Sequence, residues 1–325
     1  MIDHLKMAAY TLALMATVSG CGVQPQVMLN SNITNSISAK SADNILLNIP
    51  SSGGTPIKYT RENILSMLFL LSKQNAALKY SITCNTLEKK MGMVTTRSLN
   101  VRASGLDDAD YADLKGIVEK ISYTKKFPIV TNSPDGGDAG YELLNMSAGA
   151  TPIAEFRSSI LSMLYVLSKQ QPTLKYNVTC KTVEEKQGDP ITRSLSVHVS
   201  GIGDDAAAEL KKTVNDIARI QQNPVVTNAV AGIDPAFQLL NASYGASVVR
   251  IDRSAILSML YVLSKQQPTL KYNVTCKTVE EKQGDPITRS LSVRVSGLSD
   301  GAEIGELKDL VKKVTQVELY PLVKN

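Results

Sequence analysis

The chain has 325 residues, a formal net charge of +5, 43% hydrophobic residues and 20% charged residues. This composition is typical of a globular protein and excludes a largely disordered chain. No run of Lys or Arg is longer than two, which argues against nucleic-acid binding. Aromatic residues make up 5% and Trp is absent, which argues against a carbohydrate site built on stacked rings.

The N-terminal residues have the parts of an export signal. Lys6 gives a positive charge, and residues 7–18 form an apolar segment of signal-peptide length that is too short to span a bilayer. Small residues and a cysteine follow in Val18-Ser19-Gly20-Cys21. One interpretation is an ordinary secretory signal that is cleaved near a cysteine.

The other interpretation is a lipoprotein signal. Val18-Ser19-Gly20-Cys21 resembles the bacterial lipobox, an aliphatic residue and two small residues before an invariant cysteine. The resemblance implies a signal peptide over 1–20, lipid attachment to Cys21 and a location in the cell envelope. Since Gly22 and not Asp follows the cysteine, it implies the outer membrane, facing the periplasm or the surface, if the cell is Gram-negative.

Residues 21–44 are rich in Ser and Asn and show no sustained periodicity, which predicts a flexible tether. About 20 flexible residues span roughly 25 Å on average. The predicted folded part therefore stands away from the membrane to which its lipid would attach it.

The rest of the chain contains one module three times. The repeated stretch covers residues 61–105, 157–201 and 253–297, with the last two almost identical. A period of 96 residues, set by the cysteines, is one small domain per copy, because solenoid repeats are much shorter. The predicted repeats are 45–132, 133–228 and 229–325.

Repeat 2 shows the predicted elements most clearly. Residues 158–171 form a helix that is apolar nearly all round and must be covered on several sides. Two strands with alternating apolar and polar residues flank the polar turn 184–190, which predicts an antiparallel hairpin. Asp204 or Asp205 then caps an amphipathic helix, and Pro224 to Asn228 forms a short strand.

Repeat 3 predicts how the long helix begins. Residues 239–241 and 248–251 predict two short strands around Gly245. Asp252 or Ser254 is then the candidate N-cap of the long helix.

The predicted fold is α+β, with three tandem repeats of a small domain, each having two helices packed on a small, mainly antiparallel sheet. The short final strand recurs at 128–132 and 321–325, where the chain stops, so each copy is expected to be complete. The order helix, hairpin, helix, strand resembles the BON modules of bacterial envelope proteins. Val197-x-Val199-x-Gly201 falls near their strand-and-glycine pattern, although the hairpin loop is longer here.

Each repeat has a single cysteine on the core side of its first hairpin strand. A disulfide within one repeat is therefore impossible, and we expect a buried thiol that packs as a small apolar side chain. The alternative is an exposed thiol that links two molecules. The three residues are Cys84, Cys180 and Cys276.

The sequence offers no repeated catalytic or metal-binding set. His4 belongs to the signal peptide, and His198 is replaced by arginine in the other repeats. Glu184 and Glu185 lie beside a polar turn, where burial would not raise a carboxyl pKa. Asp-Gly-Gly-Asp at 135–138 lacks EF-hand spacing. We therefore predict no enzyme activity, no metal and no cofactor.

The polar side of the predicted hairpin recurs in every copy and is the candidate binding face. Its hydroxyls, amides and basic residues suit an anionic glycan or the edge of an envelope protein. The alternative is a sheet face that is merely soluble. The candidate residues are Lys175, Asn177, Thr179, Lys181, Ser194, Ser196, Lys271, Asn273, Thr275, Lys277, Ser290, Ser292 and Arg294.

Together these patterns favour a non-catalytic, lipid-anchored envelope protein with a binding or assembly role, since tandem copies of one surface raise avidity. One alternative is an enzyme or accessory acting on cell-wall polymer, which requires a cleft with a buried, paired carboxylate. Another is a structural spacer, which predicts hairpin faces buried between repeats. The near-identity of repeats 2 and 3 also predicts slow, concentration-dependent refolding.

Overall fold

The computed structural model describes residues 44–133, 140–184, 191–231, 233–280, 287–298 and 301–325. The predicted signal peptide, Cys21, the tether to residue 43, the 135–138 segment and the turn residue Glu185 lie outside these ranges. Every helix in the described ranges is too short or too polar to cross a membrane.

The three repeats share one order of elements: a strand, a long helix, two hairpin strands, a shorter helix and a short strand. Repeat 1 has β1 (Asn44–Gly53), α1 (Gly54–Gln74), β2 (Lys79–Lys90), β3 (Met93–Ser104), α2 (Asp108–Ser122) and β4 (Ile129–Thr131). Repeat 2 has β5 (Tyr141–Gly149), α3 (Ala150–Gln170), β6 (Lys175–Glu184), β7 (Thr192–Ser200), α4 (Asp204–Ala218) and β8 (Val225–Thr227). Repeat 3 has β9 (Phe237–Gly245), α5 (Ala246–Gln266), β10 (Lys271–Glu280), β11 (Thr288–Ser296), α6 (Gly301–Thr315) and β12 (Leu322–Lys324).

The chain has three four-stranded antiparallel sheets, one for each repeat, with helices packed on them, which confirms the α+β prediction. The predicted hairpins are also confirmed. In repeat 2, the buried side chains of β6 lie opposite buried side chains of β7, in the pairs Tyr176 with Val199, Val178 with Val197 and Cys180 with Leu195. Because α3 contacts both strands, this buried side of the sheet faces the helices.

The long helices begin earlier than predicted. Residues 248–251 lie inside α5, so the second predicted strand is wrong, whereas residues 239–241 do lie in β9. Asp252 and Ser254 are also inside α5 and are not N-caps, since Gly245 takes that position. These polar residues look like a helix start in the sequence, but they are buried in contacts within and between repeats.

The start of α4 differs in a smaller way. Asp204 and Asp205 lie in its first turn, and Gly203 occupies the N-cap position without a side-chain hydrogen bond. Two carboxylates in the first turn still favour the helix through its dipole. Repeat 1 has a true side-chain cap, because Asp107 accepts a hydrogen bond from the Asp110 amide at 2.8 Å.

The short strands join the repeats in a cycle. β4 pairs with β6, β8 pairs with β10, and β12 pairs with β2. Each short strand therefore completes the sheet of the next repeat, and the last one completes the sheet of repeat 1. The expectation that each copy is complete in itself is wrong, because every sheet takes one strand from another repeat.

The long helices α1, α3 and α5 pack against one another, and buried side chains from all three repeats form one continuous core. The described residues belong to a single compact unit. This arrangement explains why the long helices are apolar nearly all round: one side contacts a sheet and another side contacts two other long helices.

Candidate functional site

The predicted binding residues lie on the side of each sheet that faces away from the helices. Residues opposite each other in an antiparallel pair share one face of a sheet. The opposite pairs are Asn177 with His198, Thr179 with Ser196 and Lys181 with Ser194 in repeat 2, and Asn273 with Arg294, Thr275 with Ser292 and Lys277 with Ser290 in repeat 3. The structure thus brings each set together, but on two separate sheets; Lys175 and Lys271 lie at the strand starts.

Each outer face is wider than the hairpin, because the flanking strands continue its rows. In repeat 2 one row runs from Ile129 on β4 through Thr179 and Ser196 to Asn145 on β5. The same row is Val225, Thr275, Ser292 and Asn241 in repeat 3, and Leu322, Thr83, Asn100 and Asn48 in repeat 1. Each row thus consists of an aliphatic residue, a threonine, a serine or asparagine, and an asparagine. We call it the outer row.

The aliphatic end of each outer row is exposed: 54% for Ile129, 50% for Val225 and 41% for Leu322. Sequence reasoning missed these residues because it placed each short strand in the preceding sheet. The signal available was their spacing, since all three follow a proline at equivalent positions of the repeat.

Hydrogen bonds hold several face residues in fixed positions. The Thr179 hydroxyl donates to Asn177 Oδ1 at 3.2 Å, and Thr275 donates to Asn273 in the same way at 3.2 Å. Lys175 Nζ donates to the Pro172 carbonyl at 3.0 Å, a contact that recurs in repeat 3. A surface whose side chains are already ordered loses less conformational entropy when it binds a ligand.

The equivalent face positions Arg102, His198 and Arg294 carry a basic or titratable side chain in every repeat, but the partners of these side chains differ. In repeat 3, Arg294 and Asn273 both donate to Asp234, and these hydrogen bonds hold the pKa of Asp234 below its ordinary value. In repeat 2, His198 Nε2 lies 3.8 Å from a Glu142 carboxylate oxygen.

Repeat 1 leaves its basic face residue most available. Arg102 Nε donates to Asn100 Oδ1 at 3.2 Å. Within the described part of the chain, no carboxylate pairs with Arg102, in contrast to Arg294.

The three predicted core cysteines are buried and free, as expected, and the exposed-thiol alternative is wrong for them. Burial raises the pKa of all three thiols, and nearby arginines oppose the shift. The nucleophilic form of cysteine is the thiolate, so these thiols are poor nucleophiles.

A buried arginine at the start of the repeated stretch binds the preceding repeat. Arg157 on α3 donates to the carbonyls of Lys120 at 2.8 Å and Phe127 at 2.5 Å, where α2 ends. Burial lowers the pKa of Arg157 to about 10, which leaves it charged at neutral pH. A cation is favourable at a helix C-terminus because of the helix dipole.

The other two junctions have the same arginine contact. Arg253 donates to the carbonyls of Asp216 at 2.6 Å and Asn223 at 2.5 Å. Arg61 donates to the carbonyls of Lys313 and Tyr320, both at 2.8 Å. All three arginines are 0% exposed. Their regular spacing of 96 residues is visible in the sequence, but their contacts are not.

An asparagine after each short strand provides a second repeated contact. Asn132 Oδ1 accepts from the Tyr176 amide at 2.7 Å, and its Nδ2 donates to the Leu174 carbonyl at 3.0 Å. Asn228 and Asn325 bind the next acceptor strands in the same way. The side chain thus continues the strand pairing by one residue.

Charged groups are buried between the long helices. Lys58 on α1 donates to Glu62 and, at 2.6 Å, to Asp252 on α5, which also accepts from the Tyr244 hydroxyl at 2.7 Å. Two carboxyls thus face one ammonium, and burial raises the pKa of Glu62 well above its ordinary value. Asp252 lies 194 residues from Lys58 in the chain, so their contact could not be predicted from the sequence.

A second buried pair joins α5 to α3, since Arg250 Nε lies 2.6 Å from Glu155. Tyr59, Ala154 and Ile251, one residue from each long helix, form an apolar cluster. The long helices α3 and α5 are nearly identical in sequence except in their N-terminal residues, which make these contacts. The contacts between the long helices therefore differ between repeats 2 and 3.

A cavity of about 400 Å³ lies between α3, α4 and α5. Its wall includes Leu167, Leu210 and Tyr261, with Gln171 and Lys265 among the polar residues. None of the described residues that line it is a carboxylate. Within the described ranges, no group of three or more His, Cys, Asp or Glu is placed to hold a metal ion.

Comparison with models of protein families, with curated proteins and with solved structures gave no match.

Proposed function

We propose that this protein is a non-catalytic, lipid-anchored component of a bacterial cell envelope that binds an anionic polymer through its outer sheet faces. The observation that carries the proposal is the outer row, which recurs on all three sheets with the same side-chain types in the same register. Polar residues held in fixed positions beside a basic residue suit an acidic glycan chain.

The charges near the outer rows support an anionic ligand. Lys and Arg flank the row of repeat 1 at Lys79, Arg102 and Lys324, and His198 or Arg294 takes the central place in the other repeats. Three copies of one modest site give useful avidity to a polymer, because the second contact is intramolecular once the first has formed.

The lipid anchor rests on the sequence of residues 18–21 and on the tether that follows. Labelling cells with a fatty-acid analogue tests it: the wild-type chain incorporates the label and the Cys21→Ser variant does not. Equal labelling of both chains would refute the anchor.

Binding is tested with the probe polygalacturonate, a polyuronate, and with dextran as the neutral polymer. In affinity electrophoresis we expect retardation by polygalacturonate that weakens with salt, and none by dextran. Arg102→Glu should weaken the retardation. Lys115→Glu, an exposed change of the same charge on α2, is the matched control and should retain it.

Two results would contradict the binding proposal. Equal losses in both variants would show that only net charge matters. Absence of retardation at low salt would remove the anionic polymer as the ligand class.

The spacer alternative predicts outer faces buried between repeats. Thr179, Ser196 and their counterparts in repeat 3 keep partial exposure, and Lys181 and Lys277 are exposed, whereas Asn177 is buried. This exposure favours a binding role over a spacer.

A further inference from the structure

The junction between repeats 3 and 1 has the contacts of the other two junctions but no short chain connection. β12 pairs with β2, Arg61 binds the end of α6, and Asn325 binds the backbone of Tyr80. At the other junctions, the repeat that gives the strand is joined directly to the repeat that receives it. The contact between repeats 3 and 1 is thus the one held only by non-covalent forces.

This junction also carries ion pairs. Glu318 lies 3.0 Å from Lys89 Nζ and 3.2 Å from Arg97 Nη2. The sequence positions equivalent to Glu318 hold Lys125 and Gln221 in the other repeats. The end of repeat 3 therefore differs in charge from the other donor segments.

The repeats that receive the donor strand also differ in charge at the position of Lys89. The sequence positions equivalent to Lys89 hold Glu185 and Glu281, outside the described residues. At this position a donor segment with Glu318 therefore matches repeat 1 in charge and mismatches repeats 2 and 3, whereas the position of Arg97 is arginine in all three repeats. Lys73 and Glu306, 2.6 Å apart, form a further pair between repeats 1 and 3, which recurs at the other junctions as Lys169 with Asp113 and Lys265 with Glu209.

We infer that this junction also forms between two copies of the chain, with repeat 3 of one copy completing the sheet of repeat 1 of another. A chain whose junction opens leaves the buried Arg61 guanidinium and the β2 edge without partners, which is unfavourable. The donor segment of a second copy has the same residues and satisfies the same groups. Closure within one chain dominates at low concentration, and exchange between chains grows with local concentration.

Contacts of this kind join unlike surfaces, the end of one chain and the start of another. Such heterologous contacts close into a ring or continue into a filament, depending on the geometry of each step. The partner is therefore a second copy of this chain, and the assembly does not depend on the glycan-binding role.

Two differently tagged full-length chains expressed in the same cells test the inference. One carries Thr83→Cys and the other Leu322→Cys, two positions directly opposite each other at the junction. A disulfide between them links two molecules only if repeat 3 of one chain lies on repeat 1 of the other. The heterodimer is detected on a non-reducing gel through both tags.

The matched control places Thr179→Cys and Ile129→Cys on separate chains. These positions are directly opposite each other between repeats 1 and 2, whose donor strand is joined to the receiving repeat. We expect about tenfold more heterodimer from Thr83→Cys with Leu322→Cys than from the control pair. The reason is that β12 can move to another chain when only the junction between repeats 3 and 1 opens, whereas exchange of β4 requires a second junction to open as well.

Three results would overturn the inference. Equal heterodimer in both pairs would indicate random collision or general exchange. No heterodimer in either pair, together with an intramolecular disulfide when both cysteines are in one chain, would show that the junction closes only within a molecule. No disulfide even within one chain would refute the junction itself.

Discussion

The guanidinium of Arg61 donates to the carbonyl oxygen of Tyr320, 2.8 Å away and 259 residues further along the chain. Together with β12 on β2, this bond closes three tandem repeats into a cycle. It also means that the stability of the first repeat depends on the last one.

The pairing of repeat 3 with repeat 1 predicts that an engineered disulfide between them stabilises the chain more than one between repeats 1 and 2. Thr83→Cys/Leu322→Cys should form an intramolecular disulfide, as should Ile129→Cys/Thr179→Cys between repeats 1 and 2. The two bonds enclose loops of roughly 240 and 50 residues, so chain entropy favours the first by about 1.4 kcal/mol.

Urea unfolding of each double variant, oxidised and reduced, measures this difference. Each reduced form is the control for its own oxidised form. Failure of Thr83→Cys/Leu322→Cys to form an intramolecular disulfide would contradict the closed order of the repeats.

The buried arginines predict local effects of substitution. Arg61→Met leaves two carbonyls at the end of repeat 3 without their donor, at about 1–3 kcal/mol each. We expect faster hydrogen exchange across residues 316–325, measured by mass spectrometry.

Arg157→Met serves as the matched control, because it removes the same contact between repeats 1 and 2. It should destabilise the chain by a similar amount while residues 316–325 keep more protection than in Arg61→Met. The same exchange pattern in both variants would mean that the junctions do not act separately.

The cluster around Lys58 predicts a pH dependence of stability. Burial raises the pKa of Glu62, so the folded chain retains a proton that the unfolded chain releases near 4.5. The stability from this group is therefore complete below about pH 4.5 and is lost as pH rises through the folded pKa.

Glu62→Gln removes this dependence. We expect the variant to gain stability relative to wild type as pH rises, with no such gain below the ordinary glutamate range. Free energies of unfolding between pH 4 and 9 measure it, and parallel curves for the two chains would contradict it.

Lys58→Met tests the same cluster from the other side. The change leaves Asp252 and Glu62 buried beside each other without the ammonium, and breaking a buried pair in this way costs about 3–5 kcal/mol. The triple variant Lys58→Met/Glu62→Gln/Asp252→Asn should recover part of that loss. A loss below about 1 kcal/mol for Lys58→Met would indicate an exposed pair.

The core cysteines predict slow alkylation. Cys84, Cys180 and Cys276 are at most 4% exposed, and burial raises the pKa of each thiol. Iodoacetamide should therefore modify them at least roughly tenfold more slowly than a cysteine at position 83 in Thr83→Cys. Equal rates in the folded chain would contradict the burial, and full modification in denaturant is the control.

The hairpins were predictable because their signal is local. The alternation of Tyr176, Val178 and Cys180 with polar residues identifies the core side of a strand without knowledge of its partners. The same alternation placed the candidate residues of the binding face on one side. The continuation of this face onto the flanking strands, at Asn145 on β5 and Ile129 on β4, could not be predicted from the hairpin alone.

The starts of the long helices were mispredicted for a physical reason. Asp252 and Ser254 are polar, and a sequence rule assigns such residues to a helix cap. In the structure, Asp252 receives hydrogen bonds from Lys58 and Tyr244 and is fully buried. Tertiary partners therefore allow polar residues inside a helix where local rules predict its end.

The sequence by itself determined the number of repeats, the α+β class, the hairpins and the inward direction of the cysteines. These features follow from identity between copies and from short-range periodicity. Only the tertiary structure decided which sheet each short strand joins. Val130, Val226 and Val323 occupy equivalent places in their strands, so local pattern fits all three sheets equally. The choice depends on packing of the long helices, on the buried arginines and on charge pairs between residues distant in sequence.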